Sequence, residues 1–448
     1  MTLVRNAAIR HEAAELIARR KRGYSLEAPF YRDPDLFDLD MDGIFGRHWI
    51  HVGVAAEVPS PGNYMTVEFG RYALIILRDQ DEQIRAFHNV CRHRGSRILM
   101  DRRGTLKKIV CRYHNWTYEL DGKLFFADHV AANADRSCLG LKPVHLRNLG
   151  GLLFVCTAQQ PPADFDDMQR TVEPYLEPHR LEDCKVAHQT DLIEDGNWKS
   201  VMENNRECYH CTRHPELLRT FFQFFAHSDS DVTAGQREYY ARYQRISGEF
   251  HDIWGGLGLP WRPVELLDDR TTAFRVERLP LDNAGESYTL DARIASRRLV
   301  GNFSTARLGA LSLHTQPNSW NHFLSDHAVT FSVLPLSADK TLVRTTWLVH
   351  KEAIEGKDYD LETLTRVWSK TNVQDATFVA WASAGTRSPA YEPGPYSPNE
   401  NQLEKFLDWY IERMSHYVGD PANSKVSANK KRKRSAERHA AAADIASR

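Results

Sequence analysis

Hydrophobic residues recur with two different periods along this chain, and the period changes near residue 49. From residue 5 to 21, Ala, Ile and Leu recur about every 3.6 positions, which predicts a helix that ends at Gly23. Asp33-Pro34-Asp35 opens a second helical pattern that runs to about residue 48. Between residues 49 and 156 the period falls to two, which predicts a small antiparallel β module with strands at 49–55, 64–68, 73–78 and 83–88.

The second half of the chain mixes both periods. Apolar and polar residues alternate at 272–279, 308–315, 327–334 and 341–350, and the segment 329–333 alternates as on a sheet with one solvent-exposed face. Helical patterns cover 197–214, 361–384 and 401–417. Strands bracketed by helices predict an α+β fold for this half.

Composition places the chain among ordinary globular proteins with two or three domains. It has 448 residues, of which 42% are hydrophobic and 26% charged. No apolar run reaches the roughly 20 residues that cross a bilayer, and residues 1–22 lack the apolar core of a secretory signal. Seven cysteines, without a small-scaffold spacing, favour a reducing compartment. We therefore expect a cytoplasmic protein that does not associate with a membrane.

The charge is distributed unevenly. The last 24 residues contain eight Lys or Arg and two acidic residues, so the other 424 carry 50 basic and 57 acidic residues, a formal net charge of −7. A mildly acidic folded body does not favour nucleic acid as its partner. Residues 419–448 are polar, basic and alanine-rich, and this composition predicts a disordered tail.

Two short segments in the β module supply metal ligands. Cys91 and His93 are separated by 17 intervening residues from a second pair, Cys111 and His114. Two thiolates and two imidazoles suit a tetrahedral Zn²⁺ site, but Cys-x-His is not the usual zinc-finger spacing. A Rieske [2Fe–2S] cluster requires two Cys on one iron and two His on the other, so the spacing favours that cluster.

A second group of candidate ligands lies in residues 197–214, which contain no Pro or Gly and are predicted to form one continuous helix. On such a helix, Glu203, Glu207, His210 and His214 would form one stripe beside apolar residues. Carboxylates and imidazoles facing a core are costly unless they are paired or hold a metal. The alternatives at this point are a solvated polar face and a metal site.

The same segment contains Cys208 and Cys211, a Cys-x-x-Cys pair that is found in redox and zinc sites. On the predicted helix Cys211 faces away from the His stripe, and we expect both to be packing cysteines.

Taken together, the Cys/His motif and the Glu/His segment resemble the oxygenase α subunit of Rieske non-haem iron oxygenases, over about residues 20–412. Four stretches are similar to the branch that oxidises quaternary ammonium compounds: 23–31, 87–96, 316–322 and 388–397. The resemblance implies an all-β Rieske domain at 48–160 and a catalytic domain at 164–418, with an antiparallel sheet embraced by helices. Residues 1–47 are expected to pack on the catalytic domain as helices.

The resemblance also assigns roles to individual residues. It implies that the four Cys and His residues of the β module hold a [2Fe–2S] cluster, and that His210, His214 and Asp375 hold Fe(II). Glu207 matches an acid that bridges the iron site to a Rieske histidine, here His114, of a neighbouring subunit, which implies a homotrimer. The alternatives are that Glu207 only supports the iron ligands and that Asp375 is a surface acid.

The activity implied is oxidative N-demethylation of a quaternary ammonium compound, with glycine betaine, which would give dimethylglycine and formaldehyde, as the favoured substrate. O₂ is the co-substrate, and NAD(P)H and flavin are expected on a separate ferredoxin or flavin reductase, because the chain lacks a Gly-x-Gly-x-x-Gly motif after a strand. Aromatic faces attract a quaternary ammonium, and Trp320 and Phe303 are weak candidates for a cage. The alternatives are a ring-hydroxylating dioxygenase α subunit and a zinc-binding protein without enzymatic activity.

Overall fold

The computed structural model describes residues 3–128, 134–222, 232–267 and 270–419. Apart from Gly419, the predicted basic tail lies outside the described residues. None of the helices in these ranges is long and apolar enough to span a membrane. The helices, α1 to α8 in chain order, span Leu3–Ala18, Pro29–Arg32, Pro34–Asp40, Asp164–Leu176, Trp198–Asn205, Arg237–Gly256, Leu361–Gly385 and Asn401–Val418.

The first domain is all β, as predicted. A seven-stranded sheet has the order β1-β10-β9-β4-β3-β2-β5, and a small sheet has the order β6-β7-β8. The ten strands of this domain, β1 to β10 in chain order, span Ile50–Val54, Asn63–Phe69, Tyr72–Arg78, Ile84–His88, Arg103–Thr105, Ile109–Val110, Thr117–Tyr118, Leu124–Phe126, Pro143–Leu149 and Leu152–Cys156. The loops after β4 and β6 carry the two Cys/His segments and come together at one end of this domain.

The second domain is built on one antiparallel sheet with the order β11-β17-β16-β15-β14-β13-β12. These strands span Cys184–Glu194, Val264–Leu267, Arg270–Leu279, Ala310–Thr315, Ser319–Phe323, His327–Ser337 and Lys340–His350. Helices α5 and α7 pack against the sheet. The α+β prediction is therefore confirmed, although the pattern of the sequence missed β11, β12 and β15.

The prediction of one solvent-exposed face on the strand at 327–334 is wrong. Every residue of β16 from His327 to Pro335 is buried. The polar side chains of this strand are covered because the first domain packs on the sheet, and Ser332 Oγ hydrogen-bonds to Nδ1 of His51 on β1 at 2.9 Å. An alternating pattern cannot distinguish a face in solvent from a face that contacts another domain.

A buried polar cluster joins the N-terminal helices to the catalytic domain. The Asp40 carboxylate, at the end of α3, accepts hydrogen bonds from Lys199 Nζ, from Trp198 Nε1 at 3.0 Å and from Tyr410 Oη at 2.7 Å. The Asp40 and Lys199 side chains are fully buried. Burial lowers the pKa of Lys199, and the Asp40 carboxylate opposes this effect. The cluster therefore connects α3, α5 and α8 through charges that have no access to water.

We expect Asp40→Asn to lower the free energy of unfolding by about 3–5 kcal/mol, because it leaves the Lys199 ammonium buried without a counter-charge. The midpoint of chemical denaturation measures the change. Glu27→Gln, which breaks a partly exposed ion pair with Arg19, is the matched control and should cost about 0–1 kcal/mol. Equal effects of the two substitutions would contradict the structural role of the cluster.

Candidate metal centres

The two Cys/His loops of the first domain have the same backbone conformation. In each loop the amide of the fifth residue donates to the carbonyl of the cysteine, from Gly95 to Cys91 at 3.1 Å and from Asn115 to Cys111 at 2.9 Å. Gly95 and Asn115 have positive φ angles of 74° and 54°. Glycine and asparagine adopt this conformation most readily, so both residues suit the turn that they close.

The side chains of these loops converge in pairs. Cys91 and Cys111 are buried free thiols, whereas His93 is exposed and His114 is half-buried, and the Nδ1 atoms of the two histidines lie 3.2 Å apart. The His93 ring also stacks on Trp116. Two thiols on the inside and two Nδ1 atoms on the outside match the unequal ends of a Rieske cluster, with one iron bound by sulfur and one by nitrogen.

The second candidate segment is not one helix, and this part of the prediction is wrong. Helix α5 ends at Asn205, and a 3₁₀ turn from Tyr209 to Arg213 follows. Glu203 consequently points away from the other candidates, and its carboxylate accepts a hydrogen bond from Tyr31 Oη at 3.0 Å. The residue that follows the helix, Arg206, is held through its guanidinium by the turn between β14 and β15.

The expectation that Cys208 and Cys211 are only packing cysteines is also wrong. The structure joins them by a disulfide with a Cα–Cα distance of 4.9 Å. The end of α5 brings the two side chains to the same side of the 3₁₀ turn. Although Cys211 Sγ lies within 4.8 Å of ring nitrogens of His210 and His214, it has no free thiolate to offer a metal.

The structure brings His210, His214 and Asp375 together. Oδ1 of Asp375, on α7, lies 3.2 Å from Nε2 of His210 and 3.0 Å from Nε2 of His214. Apart from this contact with Asp375, the buried Nε2 of His214 has no partner among the described residues, so its lone pair is available to a metal. Two imidazoles and one carboxylate on one side of a metal are the ligand set of non-haem Fe(II) oxygenases.

Charge in this site favours a cation. Burial lowers the pKa of His210, but the carboxylates of Asp375 and Glu207 outweigh it and raise that pKa to about 9. Burial raises the pKa of Asp375, yet its contacts with the two imidazoles hold it below its usual value. Burial, and next the charge of Asp375, raises the pKa of Glu194 to about 8, so Glu194 is mainly neutral at pH 7. Asp375 is the carboxylate that contacts both imidazoles.

Each imidazole is oriented by a hydrogen bond at its other nitrogen. Nδ1 of His210 bonds to Oε1 of Glu207, and Nδ1 of His214 bonds to Oε1 of Gln374 at 2.8 Å. The amide of Gln374 in turn donates to Glu216 at 3.0 Å. In a neutral imidazole these bonds place the proton on Nδ1, so that Nε2 is the nitrogen that would bind a metal in place of a proton. The sequence pattern did not predict this role for Gln374, although the residue directly precedes the predicted ligand Asp375.

A cavity of about 250 Å³ adjoins this site. Neither Trp320 nor Phe303 is among the described residues that line it, because Trp320 stacks on Phe331 and Phe303 packs against His179. The prediction of these two cage residues is therefore wrong. The cavity is lined instead by aromatic rings of Phe221, Phe222, Tyr243, Tyr288, His314, His322 and Trp368, besides the candidate ligands. Trp368 precedes Asp375 by seven residues, two helical turns, and this spacing is a signal in the sequence that places it on the same side of α7.

Fold and site together define a Rieske non-haem iron oxygenase. Residues 48–135 match the Rieske [2Fe-2S] domain, and residues 181–416 match the ring hydroxylating alpha subunit (catalytic domain). The chain belongs to this family, and it is an iron-dependent monooxygenase with a [2Fe–2S] cluster and a mononuclear iron. The predictions of family, fold class and cofactors are confirmed, and the alternative of a zinc-binding protein without activity is excluded.

The chain is also similar to individual proteins of this family, in sequence and in structure. The chain is 44% identical over 411 residues to the glycine betaine monooxygenase oxygenase subunit of Chromohalobacter salexigens, covering 91% of this chain and 90% of that protein. It is 42% identical over 418 residues to the subunit of the same name from Pseudomonas aeruginosa, covering 92% and 94%. The quaternary ammonium Rieske monooxygenase CntA in complex with γ-butyrobetaine has the same fold, with a TM-score of 0.64, 19% identity and coverage of 90% and 98%.

We expect Asp375→Ala to abolish binding of the mononuclear iron and to leave the [2Fe–2S] cluster in place, because the ligands of the cluster lie in the other domain. Gln374→Leu should weaken binding of that iron about 10- to 100-fold, because His214 loses the partner that orients it. Iron analysis alongside the visible spectrum of the cluster measures both changes.

Lys370→Gln, one turn before Gln374 and exposed, is the control and should bind iron normally. Full occupancy of the mononuclear site in Asp375→Ala would contradict the ligand set.

Proposed function

We propose that the chain is the oxygenase component of a monooxygenase that removes one N-methyl group from a quaternary ammonium compound, with glycine betaine as the favoured substrate. In this reaction glycine betaine, O₂, NAD(P)H and one proton give dimethylglycine, formaldehyde, water and NAD(P)⁺. The main observation in support is an aromatic cavity beside the His210, His214 and Asp375 site. The activity named for relatives that are 42–44% identical over most of the chain also supports it.

The cavity wall suits a cation that has no hydrogen to donate. Tyr288 packs edge-on against His322 and Trp368, with ring centroids 5.4 and 5.5 Å apart, while His322 and Trp368 stack at 4.7 Å. Burial raises the pKa of Tyr288 and lowers that of His322 to about 3, so both rings are uncharged at neutral pH. Uncharged rings attract a quaternary ammonium through their electron-rich faces.

The residues around the iron site prepare the reaction. An iron held by His210, His214 and Asp375 supplies the activation of O₂ for C–H hydroxylation. Phe378 packs against both imidazoles with centroids 5.7 and 5.8 Å away, so one side of the ligands is closed by an apolar ring. The hydroxylated N–CH₂OH group then loses its C–N bond and departs as formaldehyde.

Electrons are proposed to pass between subunits of a homotrimer. His93 is exposed, His114 is half-buried, and the two rings hydrogen-bond to each other, while the Glu207 carboxylate bonds to His210 and accepts from the amide of Tyr209. A Glu207 carboxylate that also contacts His114 of a second copy would provide an ordered path for one electron. A separate cytoplasmic reductase carrying flavin would take the electrons from NAD(P)H and pass them to the cluster.

Incubation of iron-replete protein with NADH, a compatible reductase and glycine betaine is expected to release one formaldehyde per dimethylglycine. Stachydrine and carnitine are the comparison substrates. Glu207→Gln should lower the rate by at least about 100-fold while both metal centres remain, because the proposed bridge loses its charge and orientation. Glu362→Gln, an exposed acid on α7, is the control.

Without formaldehyde from any of these substrates, and with an intact cluster spectrum, the oxygenase would remain but the proposed substrate class would be wrong. A diol from an aromatic hydrocarbon under the same conditions would identify a ring-hydroxylating dioxygenase instead.

Complementation tests the path between subunits. His114→Ala and Asp375→Ala proteins should each be inactive, whereas trimers assembled from a mixture of both should regain part of the activity, because an intact cluster then adjoins an intact iron site on another copy. Light scattering should give three times the 51.4 kDa mass of the chain. Inactive mixed trimers would show that electrons stay within one chain.

A further inference from the structure

Arg206 is a buried cation in the wall of the cavity. Its side chain is 2% exposed, and its Nη atoms donate to four neutral oxygens. These acceptors are Asn205 Oδ1 at 2.6 Å, Gln316 Oε1 at 2.9 Å, Ser319 O at 3.0 Å and Thr315 O at 3.3 Å. The Nε atom has no partner among the described residues. Arg206 is thus anchored by dipoles and keeps its full charge.

A second arginine that lines the same cavity, Arg275, differs from Arg206 because it has acidic partners. Arg275 is paired with Glu265 at 2.6 Å and with Glu277 at 2.7 Å, so its charge is compensated. In the described part of the chain, no ion pair within 4.0 Å involves Arg206. Burial lowers the pKa of Arg206 to about 9, so the guanidinium is still protonated at pH 7. A buried cation of this kind is costly unless an anion approaches it.

His314 adds a second polar group to the same wall. Burial, and next the charge of Arg206, holds the pKa of His314 well below its usual value, so the ring is neutral. Its Nε2 lies 3.4 Å from the hydroxyl of Ser312, and its buried Nδ1 has no partner among the described residues. With Ser312 donating to Nε2, Nδ1 carries the proton and is a donor for an anion.

We propose that Arg206, assisted by His314, provides the counter-charge for the carboxylate of the substrate, and so selects zwitterionic betaines over quaternary cations that lack a carboxylate. This inference rests on the proposed function and deepens it. The charge of Arg206 attracts the carboxylate, and it repels a bare cation such as choline from the same cavity. Selectivity therefore comes from an attractive and a repulsive interaction together.

Isothermal titration of the full-length holoenzyme with glycine betaine and with choline tests the inference by binding alone. The two ligands share a trimethylammonium group, and only the first has a carboxylate. The wild type should bind glycine betaine more tightly. Arg206→Gln should bind glycine betaine about 10- to 100-fold more weakly, and choline equally well or better. Arg206→Lys, which keeps the charge, should retain part of the preference.

Arg278→Gln is the matched control. Arg278 is a buried arginine that is likewise held by neutral groups, Pro260 O at 3.1 Å, Tyr175 O at 3.2 Å and the His179 ring at 3.3 Å, but it does not line the cavity. The free energy of unfolding of Arg278→Gln should fall by about as much as that of Arg206→Gln, and this variant should keep the preference for glycine betaine. The control separates the loss of a buried arginine from the loss of a binding group.

An unchanged preference in Arg206→Gln, or an equal loss for both ligands, would overturn the inference. If Arg206→Gln does not fold, His314→Asn is the variant that tests the inference. It should weaken glycine betaine binding about 10-fold and leave choline binding unchanged. Equal weakening of both ligands would overturn the inference. If the wild type binds choline as tightly as glycine betaine, the inferred selectivity is wrong, but the proposed oxidation of a quaternary ammonium compound still stands. A wild type that binds no quaternary compound removes the proposed function itself.

Discussion

The catalytic domain depends on the approach of one carboxylate oxygen to two imidazole nitrogens inside an apolar setting. Asp375 Oδ1 lies 3.2 Å and 3.0 Å from Nε2 of His210 and His214, although these residues are about 160 positions apart in the chain. Such groups would be costly there without a cation between them. The hydrogen bonds of Glu207 and Gln374 to the opposite ring nitrogens hold both imidazoles in the orientation that a metal requires.

The end of α5 is the local feature that makes this arrangement possible. The helix stops at Asn205, the guanidinium of the next residue, Arg206, hydrogen-bonds to the turn between β14 and β15, and the following 3₁₀ turn aims His210 and His214 at α7. A continued helix would have kept Glu203 in the same row as the ligands. Arg206, the residue that follows the helix, is also the uncompensated charge of the cavity wall, so one side chain connects the end of α5 with the proposed substrate preference.

The two metal centres differ in their exposure. In the first domain the cysteines are buried and His93 and His114 reach the surface, which suits the exchange of electrons with another molecule. In the second domain His214 is buried, and the cavity beside it is lined by aromatic rings together with charged side chains, among them Arg206, Arg275 and Glu277. The interface between the domains covers the polar residues of β16, which is why the central strand is buried on both faces.

The sequence by itself determined the class of protein, because ligand identity and spacing are local: Cys91, His93, Cys111 and His114 lie in two short loops. Its periodic patterns also predicted α7, α8 and eight strands, which are β1 to β4, β13, β14, β16 and β17, since a helix or strand that buries one face repeats its hydrophobic residues regularly.

Only the tertiary structure decided where α5 ends, which aromatic rings line the cavity and what surrounds Arg206. Each of these depends on contacts between residues far apart in the chain, such as Arg206 with Ser319 or Tyr288 with Trp368. Trp320 and Trp368 are both aromatic and buried, and nothing in their local sequence states which of them faces the cavity. That is settled by packing, because a side chain's neighbours, rather than its own chemistry, determine whether it binds a ligand or fills the core.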